Sequence, residues 1–505
     1  MLSSLGLIVF LLAYLVYFGA IARPERSIYA FLLVWVLVPK SFRMFYLTGN
    51  DLPDGLTIFN IVEGAAALAI ALAMIVHHSR LGMPPALRRV RQIALLLCVS
   101  GAIGLFVSYG ILSMLMRLEL DGMWGFLQSA ATAQERILPV AAMFYAVVLI
   151  FGASLFVRTE RQMEIVLAIF FFSGLELVAE TIVFFELHLV PGLSQWAVND
   201  SGRFQSLVFT SYDRVDEFCI FAFCSGLYFA RTRQRLRYYL GSALITLPLL
   251  ATFARSALLG AALAVVVFWW LTAKGTRDRF FYAASALVLL LVALSMGLEQ
   301  PILELFATHI GGEVRPDYFS TESLEVRVGY WARALDLVRF TAPFGAGPGM
   351  ARYALQYNFH QGYYGLSDLG LAAYDGLALG TRETVVHNEP LQFVVEHGVL
   401  GIVALLIFVT LLVSNFTQWR RRRMQVVSPR RDVALGALFA MFVGEAFNTQ
   451  FEPTMVPYSI HLLLAYLTSL CLCLDHETLR RHRVQRTAPV ARKVELREVP
   501  TRAAL

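Results

Sequence analysis

The sequence predicts an all-α, polytopic integral membrane protein with about 12–13 transmembrane helices. Three observations predict it. Of 505 residues, 58% are hydrophobic and only 15% are charged, a balance that excludes an ordinary soluble domain. Mean hydropathy is +0.63. Many windows hold close to 20 apolar residues, about the number needed to cross roughly 30 Å of hydrocarbon. The net charge of +6 lies in short loops between apolar runs, so it reports topology and not a nucleic-acid surface.

The expected spans, in order, are 3–21, 28–47, 57–77, 92–114, 137–157, 164–187, 208–230, 238–254, 256–273, 279–297, 389–414, 432–449 and 455–474. The first, around Leu5 to Ala20, has no basic stretch before it and no small-residue cleavage site after it, so it is expected to be a retained helix rather than a signal peptide. Pro39, Lys40 and Arg43 interrupt the second near its end. Basic clusters then alternate with the spans: Arg23 and Arg26; Arg80, Arg88, Arg89 and Arg91; Arg158 and Arg161; Arg231 to Arg237; Lys274, Arg277 and Arg279; Arg420 to Arg423 with Arg430 and Arg431. With thirteen spans all of them fall on one side, which the positive-inside rule makes the cytoplasm. The five cysteines lie within apolar segments and are expected to be packing residues, not disulfides.

The opposite face carries the longest extramembrane region, about 298–386. Glu325 to Phe340 is amphipathic, and Pro343-Phe344-Gly345-Ala346-Gly347-Pro348-Gly349 then breaks the helix. An insertion of this length suits a lid or vestibule better than a tether. Its tyrosines suit both sugar stacking and a membrane interface.

Candidate site residues collect on this face. Arg255 stands between two apolar runs on the side otherwise poor in basic residues, where a cation calls for an anionic partner. Arg327 lies in the long segment, and Arg203 in Gly202-Arg203-Phe204. Asp213, Arg214, Asp216 and Glu217 open the seventh span, either as an internally paired helix start or as part of a substrate path. His387-Asn388-Glu389-Pro390 leads back into a hydrophobic helix. Imidazole accepts a proton near neutral pH, and arginine's planar fork binds phosphate oxygens in pairs. A base and fixed cations beside a bilayer suit sugar transfer from a lipid diphosphate. The sequence contains no compact metal-ligand cluster and no glycine-rich phosphate loop with its lysine.

The ordered set Thr252-(x2)-Arg255-Ser256, Arg327-(x3)-Trp331, Pro343-Phe344-Gly345-(x)-Gly347-(x)-Gly349, His387-Asn388-(x2)-Leu391 and Glu396-(x)-Gly398-(x2)-Gly401 resembles the O-antigen ligase and polysaccharide polymerase (WaaL/Wzy-type) superfamily. The resemblance runs over about 200–415, and Gly202-Arg203-Phe204 resembles a further arginine segment of that family. It implies a GT-C-type membrane glycosyltransferase with one large periplasmic loop, in the bacterial inner membrane with its site facing the periplasm. It implies an undecaprenyl-diphosphate-linked oligosaccharide donor, a glycan or lipid A-core acceptor, and neither cofactor nor metal. Carried over residue by residue, His387 would activate the acceptor hydroxyl, and Arg255 and Arg327 would hold the diphosphate. Arg203, Arg214, Trp331, Asn388 and Glu389 complete the expected substrate-binding set. The expected organisation is N-terminal helices over 1–200, a catalytic region over 201–475 that includes loop 298–386, and a basic, disordered cytoplasmic tail over 476–505. Length and added spans favour a polymerase of O-antigen or exopolysaccharide repeats, working beside other assembly proteins. A ligase needs the same residues. A lipid-linked glycan transporter would predict internal symmetry, and the two halves show no convincing repeat.

Overall fold

The computed structural model describes residues 29, 85–108, 150–153, 157–189, 197, 203–206, 212–252, 254–295, 322–341, 343–351, 353–355, 386, 388–422, 428–450 and 463–474. Within these the architecture is all-helical: α1 (Pro85–Ser108), α2 (Glu160–Glu180, continued by a π-helical turn over Thr181–Glu186), α3 (Tyr212–Arg233), α4 (Leu236–Leu244), α5 (Thr246–Ala251), α6 (Arg255–Thr272), α7 (Thr276–Ser295), α8 (Glu322–Thr341), α9 (Glu389–Arg422), α10 (Pro429–Asn448) and α11 (Leu463–Leu474). Glu160–Glu186, Arg255–Thr272 and Glu389–Arg421 are each long and apolar enough to cross a membrane. The expected spans before residue 85, most of 137–157, the larger part of loop 298–386 and the tail lie outside the described residues. The expected span 238–254 is two helices, because the chain leaves helical pairing at Ile245 between α4 and α5.

Local chemistry explains where helices begin. Thr159 caps α2 reciprocally with Gln162: its hydroxyl oxygen accepts from the Gln162 N–H (3.3 Å), and the Gln162 carboxamide oxygen accepts from the Thr159 N–H (3.0 Å). Asn388 Oδ1 accepts from the Leu391 N–H (2.9 Å), the bond an N-cap makes at the start of α9.

Helices α3, α6 and α10 form the centre. Helices α6 and α10 run antiparallel and cross at paired glycines. A Cβ on Gly260 would meet the Gly444 carbonyl oxygen at 2.6 Å, and one on Gly444 would meet that of Gly260 at 2.8 Å. Small residues at a crossing let backbones approach closely where lipid supplies no hydrophobic drive. Ile220 of α3 fills the third side of the crossing.

One end of the bundle holds the basic clusters. There α3, α6 and α9 end, and α2, α7 and α10 begin. Arg231 donates to both oxygens of Asp278 (2.6 and 2.5 Å). Lys274 pairs with Asp432 (2.9 Å), which also accepts from the Trp419 indole (2.9 Å), and Arg431 pairs with Glu160 (2.8 Å). Burial alone would raise the Asp278 carboxyl, but the Lys274 backbone N–H (2.8 Å) and the Arg231 guanidinium hold it below its ordinary value. A depressed carboxylate stabilises the fold above its unfolded pKa, about 3.9, and that stabilisation is lost as pH falls through the lower folded value. The melting-temperature difference between wild type and Asp278→Asn is therefore expected to shrink between about pH 6 and about pH 3. A difference that stayed constant or grew on acidification would refute the assignment.

The glycine run after α8 has a specific partner. Helix α9 is interrupted at Gly398, whose backbone (φ 55, ψ −139) is non-helical. The interruption frees helical hydrogen-bonding groups, and the loop takes them up. Ala346 N–H donates to the Val395 carbonyl (2.8 Å), Gly347 N–H to that of Glu396 (3.0 Å), and Val399 N–H to that of Pro343 (3.0 Å). Three of the backbone groups at the kink thus find loop partners, as buried backbone favours. Gly345, Gly347 and Gly349 all carry positive φ here. A second apolar cluster joins this loop to α8 and α9 through Ala334, Leu337, Ala346, Met350, Val386 and Val395.

Candidate functional site

The end of the bundle away from the basic clusters gathers the polar segments. Phe204 is fully buried, packs edge-on against Phe185 (5.8 Å), and donates its N–H to the Ala251 carbonyl (3.0 Å). Arg203 is thereby brought to the turn that precedes α6. On that turn the Thr252 hydroxyl donates to Asp216 Oδ1, tying it to the start of α3. The Ser206 hydroxyl donates to Glu180 Oε2 (2.6 Å), which anchors the same segment to α2. Arg255 follows as the first residue of α6, half-buried. A cation at a helix N-terminus opposes the helix dipole, so this position gains from an anion that both the guanidinium and the free N–H groups can face.

Helices α9 and α10 close the other side. Glu389 donates its N–H to the Thr449 carbonyl (2.9 Å), and the Asn388 amide donates to the Gln450 side-chain oxygen (3.2 Å). Asp216, Glu217 and Glu445 are fully buried. The same end of the bundle thus holds Arg203 beside the turn before α6, Arg255 at the start of α6, and carboxylates at the starts of α3 and α9 and near the end of α10.

The expected residues fare differently. Arg203, Arg255, Asn388 and Glu389 come together at this end. Asn388 does so as a helix cap and a tie to α10, which occupies its amide oxygen and nitrogen. Trp331, half-buried on α8, packs against the second apolar cluster, so its visible task is to seat α8. Arg327 lies one turn before Trp331 on α8 and Arg214 lies in the first turn of α3; the side chains of both are outside the described residues. His387 is also outside them. Its neighbours are placed: Val386 is fully buried in the second apolar cluster, and Asn388 caps α9. Sequence reading passed over Glu445 and Asn448. Two polar residues three apart in an otherwise apolar helix were the available signal. It also gave no role to His397, which is fully buried with Nδ1 2.9 Å from the Ser100 hydroxyl of α1 and its ring 4.5 Å from that of Phe393.

Residues 240–406 match the family model described as O-antigen ligase. The chain carries an O-antigen ligase-type segment. It runs from α4 to the middle of α9 and contains Arg255, Arg327, Trp331, the glycine loop, His387, Asn388 and Glu389. Arg203 and Glu445 lie outside the O-antigen ligase match, next to Phe204 and Gly444, which meet Ala251 and Gly260 within it. No curated protein matches the chain. The match, with helices long and apolar enough to cross a membrane, points to an integral membrane protein that carries an O-antigen ligase-type segment.

Proposed function

We propose that the protein is a glycosyltransferase that polymerises undecaprenyl-diphosphate-linked repeat units of an O-antigen or exopolysaccharide at the periplasmic face of the bacterial inner membrane. The observation that carries the reading is the convergence of Arg203, Arg255 and the start of α9 at the end of the bundle opposite the basic clusters, around the O-antigen ligase match. By the positive-inside rule the basic end is cytoplasmic, so the arginine pair faces outward. In this reading the arginines hold the diphosphate as charge builds on it, and His387 takes the proton of the acceptor hydroxyl as it attacks the anomeric carbon. The bond to the diphosphate breaks, and the lipid diphosphate leaves with its electron pair. The chemistry uses neither metal nor cofactor.

The test is a reconstituted assay in lipid with undecaprenyl-diphosphate-linked oligosaccharide, alone or with lipid A-core. A ladder of longer lipid-linked glycans from donor alone supports the polymerase. Product only with lipid A-core would make the protein a ligase, which needs the same arginines and histidine. Movement of intact donor across vesicles without new glycosidic bonds would make it a transporter. Arg255→Ala is expected to lower kcat/KM for donor by about 10²-fold, the weight of a charge-assisted phosphate contact, and Arg255→Lys to recover only part of it. Unchanged kcat/KM in Arg255→Ala would remove this arginine from the site.

A further inference from the structure

We infer that Ser256, Glu445 and Asn448 form a subsite for the hydroxyl groups of the sugar attached to the lipid diphosphate. The inference rests on the donor reading above and extends it from the diphosphate to the glycan.

The three residues lie within one turn of the glycine crossing, on the same side of it. Helices α6 and α10 are antiparallel: Gly260 meets Gly444 near the site, and Thr272 meets Gly436 toward the basic end. Ser256 lies four residues before Gly260, and Asn448 lies four residues after Gly444. Each is therefore one turn, about 5.4 Å, beyond the crossing on the side facing the other helix. Glu445 lies between Asn448 and the crossing. Ile220 of α3 touches both glycines, and one turn above it stands Asp216, held by Thr252.

These side chains are buried and yet unsatisfied. Glu445 and Asn448 are 0% exposed and Ser256 is 7% exposed. Both carboxylate oxygens of Glu445, both amide atoms of Asn448 and the Ser256 hydroxyl make no hydrogen bond to any described residue. A buried polar group left unpaired costs about 1–3 kcal/mol, and few such groups occur in native proteins. Five within one turn of the crossing, beside the arginine assigned to the diphosphate, point to a partner that arrives with substrate.

The mixture of donors and acceptors selects that partner. A cation would serve the Glu445 oxygens and leave the Asn448 N–H groups without an acceptor. An anion would face the Glu445 carboxylate at close range. A hydroxyl both donates to carboxylate and accepts from amide, so neighbouring hydroxyls of a sugar ring answer the whole set. Ser256 adjoins Arg255 in sequence, and the sugar adjoins the diphosphate in the donor, so the two subsites fall in the same order as the groups they would take.

The test is binding to full-length protein in nanodiscs. The probes are undecaprenyl diphosphate without sugar and a panel of undecaprenyl diphosphate monosaccharides: glucose, galactose and N-acetylglucosamine. Wild type is expected to bind at least one glycosylated probe about tenfold more tightly than the bare diphosphate, the weight of one or two hydrogen bonds. Asn448→Leu and Ser256→Ala are expected to lose that increment while binding the bare diphosphate as wild type does. Because both changes remove unsatisfied polar atoms, neither is expected to lower the melting temperature of ligand-free protein. Arg255→Ala is expected to weaken every probe. Variants that keep the sugar increment would overturn the subsite, as would a wild type that binds bare and glycosylated probes alike. Wild type that binds no probe would overturn the donor reading itself.

Discussion

Replacing His387 with alanine is expected to lower turnover by about 10²–10⁴-fold, the range a positioned general base contributes. Undecaprenyl diphosphate binding is expected to stay within about twofold, because the proposed diphosphate contacts come from arginines on other elements. The separation of these effects is the informative part. The residues on either side of His387 are held by different structures. Val386 is buried among α8, the glycine loop and α9, while Asn388 caps α9 and bonds to Gln450 beyond the end of α10. A small side chain at 387 leaves both attachments intact, so lost turnover with retained binding and an unchanged melting temperature would assign the loss to chemistry. Single-turnover measurements on reconstituted protein would decide it. Turnover within tenfold of wild type in His387→Ala would remove the imidazole from the mechanism.

Gly398→Ala is expected to be strongly destabilising. Gly398 sits at φ 55 and ψ −139, a region that is essentially glycine-only, and strain of this kind costs of order 1–3 kcal/mol by itself. The added Cβ would also lie 2.3 Å from the Pro343 carbonyl oxygen and 2.6 Å from the Gly345 nitrogen. Both are backbone atoms, so no side-chain rotation relieves the contact. The three loop-to-kink hydrogen bonds would be pushed apart, and a total loss of roughly 3–5 kcal/mol is expected. The readout is melting temperature and purified yield in detergent. Gly275→Ala is the control, since a Cβ there meets nothing within 4 Å, and it is expected to behave as wild type. A Gly398→Ala protein as stable as the control would mean that the loop is not locked to α9.

Part of this organisation is legible in the sequence because it is local. The helical spans follow from apolar runs. The break at Pro343 to Gly349 follows from glycine and proline chemistry, and the helix start after His387 from the return to an apolar run. The common placement of the basic clusters follows from their alternation with the spans, and the ion pairs Arg231–Asp278, Lys274–Asp432 and Arg431–Glu160 all lie at that end. Other features were misjudged or passed over because their partners are distant in the chain. Asn388 bonds to Gln450, 62 residues on, a tie that no local pattern announces. Gly398 stands in a sequence motif, but the kink there shows only when Pro343 and Gly345 arrive against it. Glu445 and Asn448 are two polar residues in a helix until Ser256 is found within one turn of the same glycine crossing.

The sequence by itself determined that this chain is a helical membrane protein, which end of its bundle is basic, and that part of it resembles the O-antigen ligase family. These properties are sums over neighbouring residues: hydropathy over a span, charge over a loop, motif order along the chain. The tertiary structure alone decided that Arg203 reaches the turn before Arg255, that the glycine loop bonds to the kink at Gly398, and that Ser256, Glu445 and Asn448 lie buried on one side of the glycine crossing. Each of those depends on backbones that approach within hydrogen-bonding or van der Waals distance after more than forty residues of intervening chain. No local propensity encodes such a meeting; it is set when helices from separate parts of the sequence pack against one another.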